Sequence, residues 1–217
     1  VPFAVDTDEL TNYELGWKLD LLDSTLRFNA AVFFSDIEDL QTGIFDASIT
    51  NLFFTDNAAD AEVTGFEGDV LWMPDSINGL TVSGAFSFND SEITRVITPT
   101  NDVTKGDSLA FAPEFQFSLR ARYEWSVGSG RTAHFMPHAT YSDQSYSDII
   151  TINRARVDDW LMLGFTAGIS QDQWSAEFFA ENITDEMAEI SRSFIYDRHR
   201  VSYARPFTGG IRLTYDF

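Results

Sequence analysis

The sequence predicts an all-β fold, an antiparallel sheet of about nine long strands that forms part of a transmembrane β-barrel. Three observations lead to this prediction. Apolar and polar residues alternate over long stretches, as side chains do on the two faces of a strand. These stretches run for roughly 10 to 13 residues, which suits a bilayer crossing better than the usual 5 to 6 of soluble sheets. Short turns and long polar loops alternate between the stretches, as they do in outer-membrane barrels.

The strands are predicted, in chain order, near residues 12–21, 25–36, 59–73, 80–92, 113–126, 131–143, 159–170, 173–182 and 205–217. Their connections alternate between short turns ("LDS", "PDSING", "VGSG", "QD") and long loops near 37–58, 93–112, 144–158 and 183–204. This pattern predicts short periplasmic turns and long extracellular loops. A soluble β-sandwich also alternates, but it has no reason to sort its loops by length.

The stretch "EFQFSLRARYEW" shows the predicted division of faces most clearly. Its odd-numbered positions are largely aromatic or aliphatic: Phe115, Phe117, Leu119, Tyr123 and Trp125. Its even-numbered positions include charged and amide residues: Gln116, Arg120, Arg122 and Glu124. Because a charge that faces lipid is costly, the odd set is expected to face lipid and the even set the barrel lumen.

The two histidines of one strand, His134 and His138, are also expected to face the lumen. On a helix, this spacing would bring both imidazoles to one metal ion. The segment contains Pro137 and alternates, so it is predicted to be a strand, which separates the two Cα atoms by about 13 Å. No metal site is therefore predicted.

Three tryptophans, Trp72, Trp125 and Trp174, lie close to short turns. Aromatic residues collect at membrane–water interfaces because their rings are apolar while their N–H or O–H groups stay hydrated. The three are expected to form an interface girdle, with Tyr215 and Phe217 ending the last strand at the same side.

Composition excludes several classes of function. The chain has 14 basic and 34 acidic residues, a formal net charge of -20, which argues against a nucleic-acid partner. It has no cysteine, which removes disulfides and thiolate metal sites. It shows no nucleophile elbow, phosphate-binding loop or dinucleotide fingerprint, so neither an enzyme nor a cofactor is predicted. The acidic Asp36, Glu38 and Asp39 are interpreted as a solvated loop, since no glycine-anchored calcium loop accompanies them.

Several segments, taken in order, resemble the second half of a TonB-dependent receptor barrel: "NYELGWK", "LRFNAAVFFSDIEDLQ", "NAADAEVTGFEGDVLWMP", "AENITDE" and the terminal "RPFTGGIRLTYDF". The resemblance implies that residues 1–217 are the C-terminal part of a 22-stranded barrel. It also implies a separate N-terminal plug domain and earlier strands, both outside this chain. The last strand resembles the signal read by the barrel assembly machinery, with Tyr215 and Phe217 as its aromatic positions. About nine strands, an odd number, are expected to remain an open sheet, because single-chain bacterial barrels have even strand numbers.

The long loops contain the residues expected to contact a solute, namely Arg154, Arg156, Arg192, Tyr196, Arg198, His199 and Arg200. Such groups can hold an anionic ferric chelate through charge-assisted hydrogen bonds. The alternative is that the basic residues neutralise neighbouring acidic residues or lipopolysaccharide phosphates.

The resemblance implies a receptor in the outer membrane of a Gram-negative bacterium that imports a scarce solute such as a ferric siderophore, vitamin B12 or a carbohydrate. Its implied partners are the TonB–ExbB–ExbD complex (reached through the plug), outer-membrane lipid and lipopolysaccharide, the barrel assembly machinery and the small-molecule solute. The alternatives are a passive porin-like channel, an outer-membrane hydrolase and a soluble β-sandwich binding module.

Overall fold

The computed structural model describes residues 5–46, 52–98, 102–195 and 198–216. Within these ranges the chain forms strands β1 (Glu9–Leu21), β2 (Leu26–Asp46), β3 (Leu52–Trp72), β4 (Leu80–Val96), β5 (Phe115–Gly128), β6 (Arg131–Ser142), β7 (Ser145–Tyr146), β8 (Arg156–Val157), β9 (Trp160–Gln171), β10 (Trp174–Glu181), β11 (Glu189–Ile195), β12 (Arg198–Tyr203) and β13 (Thr208–Tyr215). The described residues contain one 3-10 turn, Thr151–Asn153, between β7 and β8. In the part of the chain that is described, no helix has the length and hydropathy needed to cross a membrane.

Nine of the described strands form one antiparallel sheet in the order β1-β2-β3-β4-β5-β6-β9-β10-β13. The predicted all-β class is confirmed, and each predicted strand coincides with a strand of the sheet, although β2 and β3 extend well beyond their predicted bounds. β1 and β13 lie at the two edges, and the described residues contain no ladder between them. The expected open sheet is therefore what the chain forms.

The sheet has one apolar and one polar face, as the alternation predicts. On the apolar face a ladder of rings crosses successive strands, for example from Phe66 to Phe86, with centroids 5.3 Å apart, and from Phe88 to Phe115, at 4.4 Å. These side chains stay accessible even on central strands, with Phe88 49% exposed. The described chain thus leaves this apolar face open, and its contact with lipid stays a prediction.

The short turns rely on residues with positive φ. Leu22, Asp23 and Ser24 have φ values of 52°, 56° and 69° in the turn from β1 to β2. Gly79, with φ of 85°, ends the turn from β3 to β4, and a Cβ there would clash with the carbonyl oxygen of Glu124. Only glycine fits this close approach of two backbones.

The predicted long loop at 37–58 is wrong in extent, because β2 continues to Asp46 and β3 begins at Leu52. The extended pair contains a bulge between Ile37 and Leu40, where Asp39 has φ of 56°. The buried side chain of Asn57 stabilises this bulge by donating to the carbonyl oxygens of Asp39 at 2.6 Å and Asp6 at 2.9 Å. These contacts join segments that are far apart in sequence. The alternation of neighbouring residues cannot predict such contacts.

The other long connections contain structure of their own. β7 pairs with β8, and β11 pairs with β12 as a separate hairpin. A buried apolar cluster forms where the connections after β4 and β6 meet the extended β2–β3 pair: Ala58, Ala59, Ile93, Val103, Ile149 and Ile150. We call this region the loop layer.

Candidate functional site

The polar face of the sheet contains all the residues predicted to face the lumen. Cross-strand pairing places Arg120 opposite His138 and Glu124 opposite His134. Gln116 lies on the same face nearer the long loops, opposite Ser142. The odd residues of β5, including Phe117 and Trp125, alternate onto the opposite, apolar face. The predicted separation of the two sets is present.

The two arginines of β5 have different partners. Arg122 donates from Nε and Nη2 to Oε1 of Glu124, at 2.9 and 2.6 Å. Arg120 donates from Nε to the Ser83 hydroxyl at 3.0 Å, and within the described residues it has no ion pair. Arg120 is therefore a cation on this face whose charge no carboxylate of the described chain balances.

His134 belongs to a row of polar residues across four strands. Its Nε2 lies 3.2 Å from Oε2 of Glu177 on β10, and Arg212 on β13 donates to the other oxygen of Glu177 at 2.7 Å. The strand between His134 and Glu177 contributes Gly168, directly opposite both. A Cβ at residue 168 would lie 2.5 Å from Cε1 of His134, so the imidazole lies over the glycine and reaches beyond it.

His138 repeats the arrangement two rows further along the same face. Its Nε2 lies 2.7 Å from Oε2 of Glu181, and its ring lies over Gly164 in the same way. Each histidine thus has its own carboxylate partner, and the two are not brought to one centre. In the described ranges no three His, Cys, Asp or Glu side chains converge in a way that could hold a metal ion.

These carboxylate partners were missed from the sequence. The signal that could have revealed them is a shared spacing, since His134 and His138, Gly164 and Gly168, and Glu177 and Glu181 are each four residues apart in successive sheet strands. Arg212, the end of the first row, has no such signal in its own strand.

Arg154 joins the two connections of the loop layer, the one after β4 and the one after β6. Its guanidinium donates from Nη1 to the carbonyl oxygens of Ser108 and Asp148, at 2.9 and 3.0 Å, and stacks on Tyr146 with 3.9 Å to the ring centroid. Nε lies 3.4 Å from a carboxylate oxygen of Asp107, and only 10% of the side chain is exposed. Its donors therefore serve to hold two loops together.

The remaining basic residues of the predicted loop set lie nearer the surface. Arg156 pairs with Asp158 at 3.0 Å, and both side chains are more than half exposed. Arg192 makes two hydrogen bonds to the Glu189 carboxylate, at 2.6 and 2.7 Å, and these raise the pKa of its guanidinium above the usual value. Three further members, all on β12, are also exposed: Arg198, His199 and Arg200. Tyr196 lies outside the described residues.

The predicted girdle tryptophans, Trp72, Trp125 and Trp174, each lie near a short turn and on the apolar face by strand alternation. Tyr215 is the last residue of β13, opposite Trp174, and donates from its hydroxyl to Gln173 at 3.0 Å. Phe217, the other residue of the predicted assembly signal, lies outside the described residues.

Comparison with known proteins identifies the family. The family model described as "TonB dependent receptor-like, beta-barrel" matches residues 9–183. The metal-pseudopaline receptor CntO of Pseudomonas aeruginosa is 30% identical over 125 residues, which are 58% of this chain and 16% of that protein. The chain therefore spans about a sixth of the length of this curated relative.

Solved structures share the fold. The ferric yersiniabactin uptake receptor FyuA of Yersinia pestis matches with a TM-score of 0.76 and 18% identity, covering 97% of this chain and 30% of that one. The siderophore receptor PiuA of Acinetobacter baumannii matches with a TM-score of 0.71 and 20% identity, covering 97% and 29%.

Proposed function

Because the chain belongs to the TonB-dependent receptor β-barrel family, which resides in the outer membrane of Gram-negative bacteria, we propose that it forms part of the wall of a receptor that imports a scarce solute with energy supplied through TonB. The family and the fold are those of receptors and transporters rather than enzymes. The family match does not favour a passive porin-like channel.

The observation that carries the proposal is the contrast between the two faces of the sheet. Exposed ring ladders on one face suit lipid, while the ion pairs of Arg122 and Arg212 and the two histidine–carboxylate pairs suit a water-filled interior. In this orientation the polar face lines the lumen. Trp125 and Trp174, each 39% exposed, then lie at the periplasmic interface.

The names of the relatives support one class of solute. Their names describe receptors for metal–pseudopaline and ferric yersiniabactin, which supports a metal ion bound to an organic chelator as the solute here. Exposed cations on β12, Arg198 and Arg200, suit the carboxylates of such a chelate. Arg192, His199, Tyr196, Arg154 and Arg156 complete the proposed set, with Arg154 acting through the loop layer rather than by direct contact.

The proposed receptor has several partners. TonB–ExbB–ExbD supplies energy through a plug domain, outer-membrane lipid and lipopolysaccharide surround the apolar face, and the assembly machinery reads the last strand. Tyr215 and Phe217 are the proposed aromatic positions of that signal.

The test is uptake by the full-length receptor in cells. We expect accumulation of a radiolabelled ferric chelate that stops when TonB is deleted and when the proton-motive force is collapsed. A matched strain without the receptor provides the control. Uptake that persists without TonB would contradict the proposal and restore the porin-like alternative.

A further inference from the structure

Arg120 differs from the other arginines on the polar face in lacking a carboxylate partner. Arg27, Arg122 and Arg212 each form an ion pair, with N–O distances of 3.1, 2.6 and 2.7 Å. Within the described residues Arg120 bonds only to the hydroxyl of Ser83. The chain has a net charge of -20, so carboxylates far outnumber cations, yet within the described residues neither Arg120 nor Lys18 of β1 on the same face forms an ion pair.

Arg120 borders an open depression of about 510 Å³. Its floor is low because several small residues line it: Ser83, Gly84, Ala85 and Ser118. The polar or bulky members of its rim are Asp69, Arg120, Met136, His138 and Thr140.

The carboxylates nearest to this depression already have other partners. Asp69 accepts from Nδ2 of Asn29 at 3.0 and 3.3 Å, and Glu181 lies 2.7 Å from Nε2 of His138. Neither is within 4 Å of Arg120, so the guanidinium keeps donors available to a group from outside the described chain.

We infer that the Arg120 depression binds a carboxylate. The guanidinium supplies charge-assisted donors, and the hydroxyls of Ser118 and Thr140 line the same space. Asp69 lies two strands away, with its Cα about 12 Å from that of Arg120 by sheet spacing. Asp69 would repel a second anionic group on the ligand. The ligand class is therefore a carboxylate whose far end, near Asp69, carries a hydrogen-bond donor.

Two sources can present this group inside a barrel: a free solute, or an aspartate or glutamate of a polypeptide segment in the lumen. The inference rests on the proposed function only in taking the polar face as the lumen side. It does not depend on which solute is imported or on TonB.

The first experiment uses Arg120→Lys in the full-length receptor. Carbodiimide joins the introduced amine to any carboxylate it contacts, and mass spectrometry identifies the partner. A polypeptide source predicts an isopeptide bond to an acidic residue outside the neighbouring strands. Arg122→Lys is the matched control, because its expected partner is Glu124.

The second experiment measures the charge preference of the depression. Ser118→Cys is treated with a sulfonate-bearing and an ammonium-bearing thiosulfonate reagent, and labelling at residue 118 is followed by mass spectrometry. Residues 118 and 120 lie about 7 Å apart on one face, so adding Arg120→Gln should lower the ratio of sulfonate to ammonium rates about tenfold. If the carboxylate comes from a free solute, sodium acetate should slow labelling of Ser118→Cys by the sulfonate-bearing reagent. This slowing should be absent when Arg120→Gln is added.

Two results together would overturn the inference and leave the proposed function intact. They are cross-links confined to Asp69 or Glu181, and a ratio of labelling rates that Arg120→Gln does not change. A cysteine at residue 118 that reacts only with lipid-soluble reagents would contradict the lumenal orientation, and with it both the inference and the proposed function.

Discussion

Replacing Gly168 by alanine tests whether the histidine–glycine–glutamate row stabilises the wall. The new methyl group would lie 2.5 Å from Cε1 of His134 and 3.0 Å from the carbonyl oxygen of Ala176. Both contacts are too close, so the imidazole must move away from Glu177, which now lies 3.2 Å from its Nε2.

The expected cost follows from three contributions. Overpacking costs about 1–3 kcal/mol. The lost contact between His134 and Glu177, which are only 12% and 21% exposed, adds about 0.5–1.5 kcal/mol. The lower entropy of the unfolded chain with alanine offsets about 0.4–1 kcal/mol. We therefore expect Gly168→Ala to lower the free energy of unfolding by about 0.5–4 kcal/mol, with a central value of about 2 kcal/mol.

The measurement is denaturant unfolding of the full-length receptor in detergent, followed by tryptophan fluorescence. Gly43→Ala on β2 is the control, because a Cβ there has no heavy atom within 4 Å. In a His134→Ala background the ring is gone, so most of the Gly168→Ala penalty should disappear, with a coupling energy of about 1–2 kcal/mol. Equal effects of Gly168→Ala and Gly43→Ala, or an unchanged penalty without the imidazole, would refute the reasoning.

Three further predictions use other parts of the molecule. Arg154→Ala should lower the free energy of unfolding by about 2–4 kcal/mol, because several buried hydrogen bonds are lost, and should speed limited proteolysis of the loop layer. Arg156→Ala is the control, because it removes only an exposed ion pair and should not speed proteolysis. Equal proteolysis rates for the two variants would contradict the role assigned to Arg154. Asn57→Ala should lower the free energy of unfolding by about 1–3 kcal/mol through the unsatisfied carbonyl groups at the bulge, and an unchanged unfolding midpoint would show that water replaces the amide. Tyr215→Asp should reduce the amount of full-length receptor in the outer membrane on immunoblots, whereas Thr214→Asp on the polar face should not, and equal levels would count against the assembly signal.

The nine sheet strands could be predicted because alternation is a local property of the sequence. Where a strand continues without alternating apolar residues, the predicted strand ended before the observed one. β2 was expected to end at residue 36, yet it continues through Asp36, Glu38 and Asp39, which have no apolar alternation. Backbone pairing and the side chain of Asn57, itself within the predicted loop, maintain that extension.

The polar face could be predicted as a set of residues but not as pairs. Which side chains meet depends on register, and the partners His134 and Glu177 are 43 residues apart in sequence. Arg154 shows the same limit, because its contacts with Ser108 span 46 residues. A basic residue in a loop looks the same in sequence whether it meets solute or joins two loops.

The glycines of the polar face explain how the sheet can carry large rings on that face without projecting them far from the backbone. Phe33, His134, His138 and Phe179 each lie across from a glycine on a neighbouring strand, and each ring occupies the space that a Cβ there would need. A ring seated in this way lies along the sheet, so its bulk covers the backbone instead of filling the space beyond it. Each histidine ring that lies over a glycine reaches a carboxylate two strands away. Side-chain contacts therefore join strands that the backbone ladder does not pair directly. A single small residue opposite each ring therefore both stabilises the sheet and keeps its polar face low.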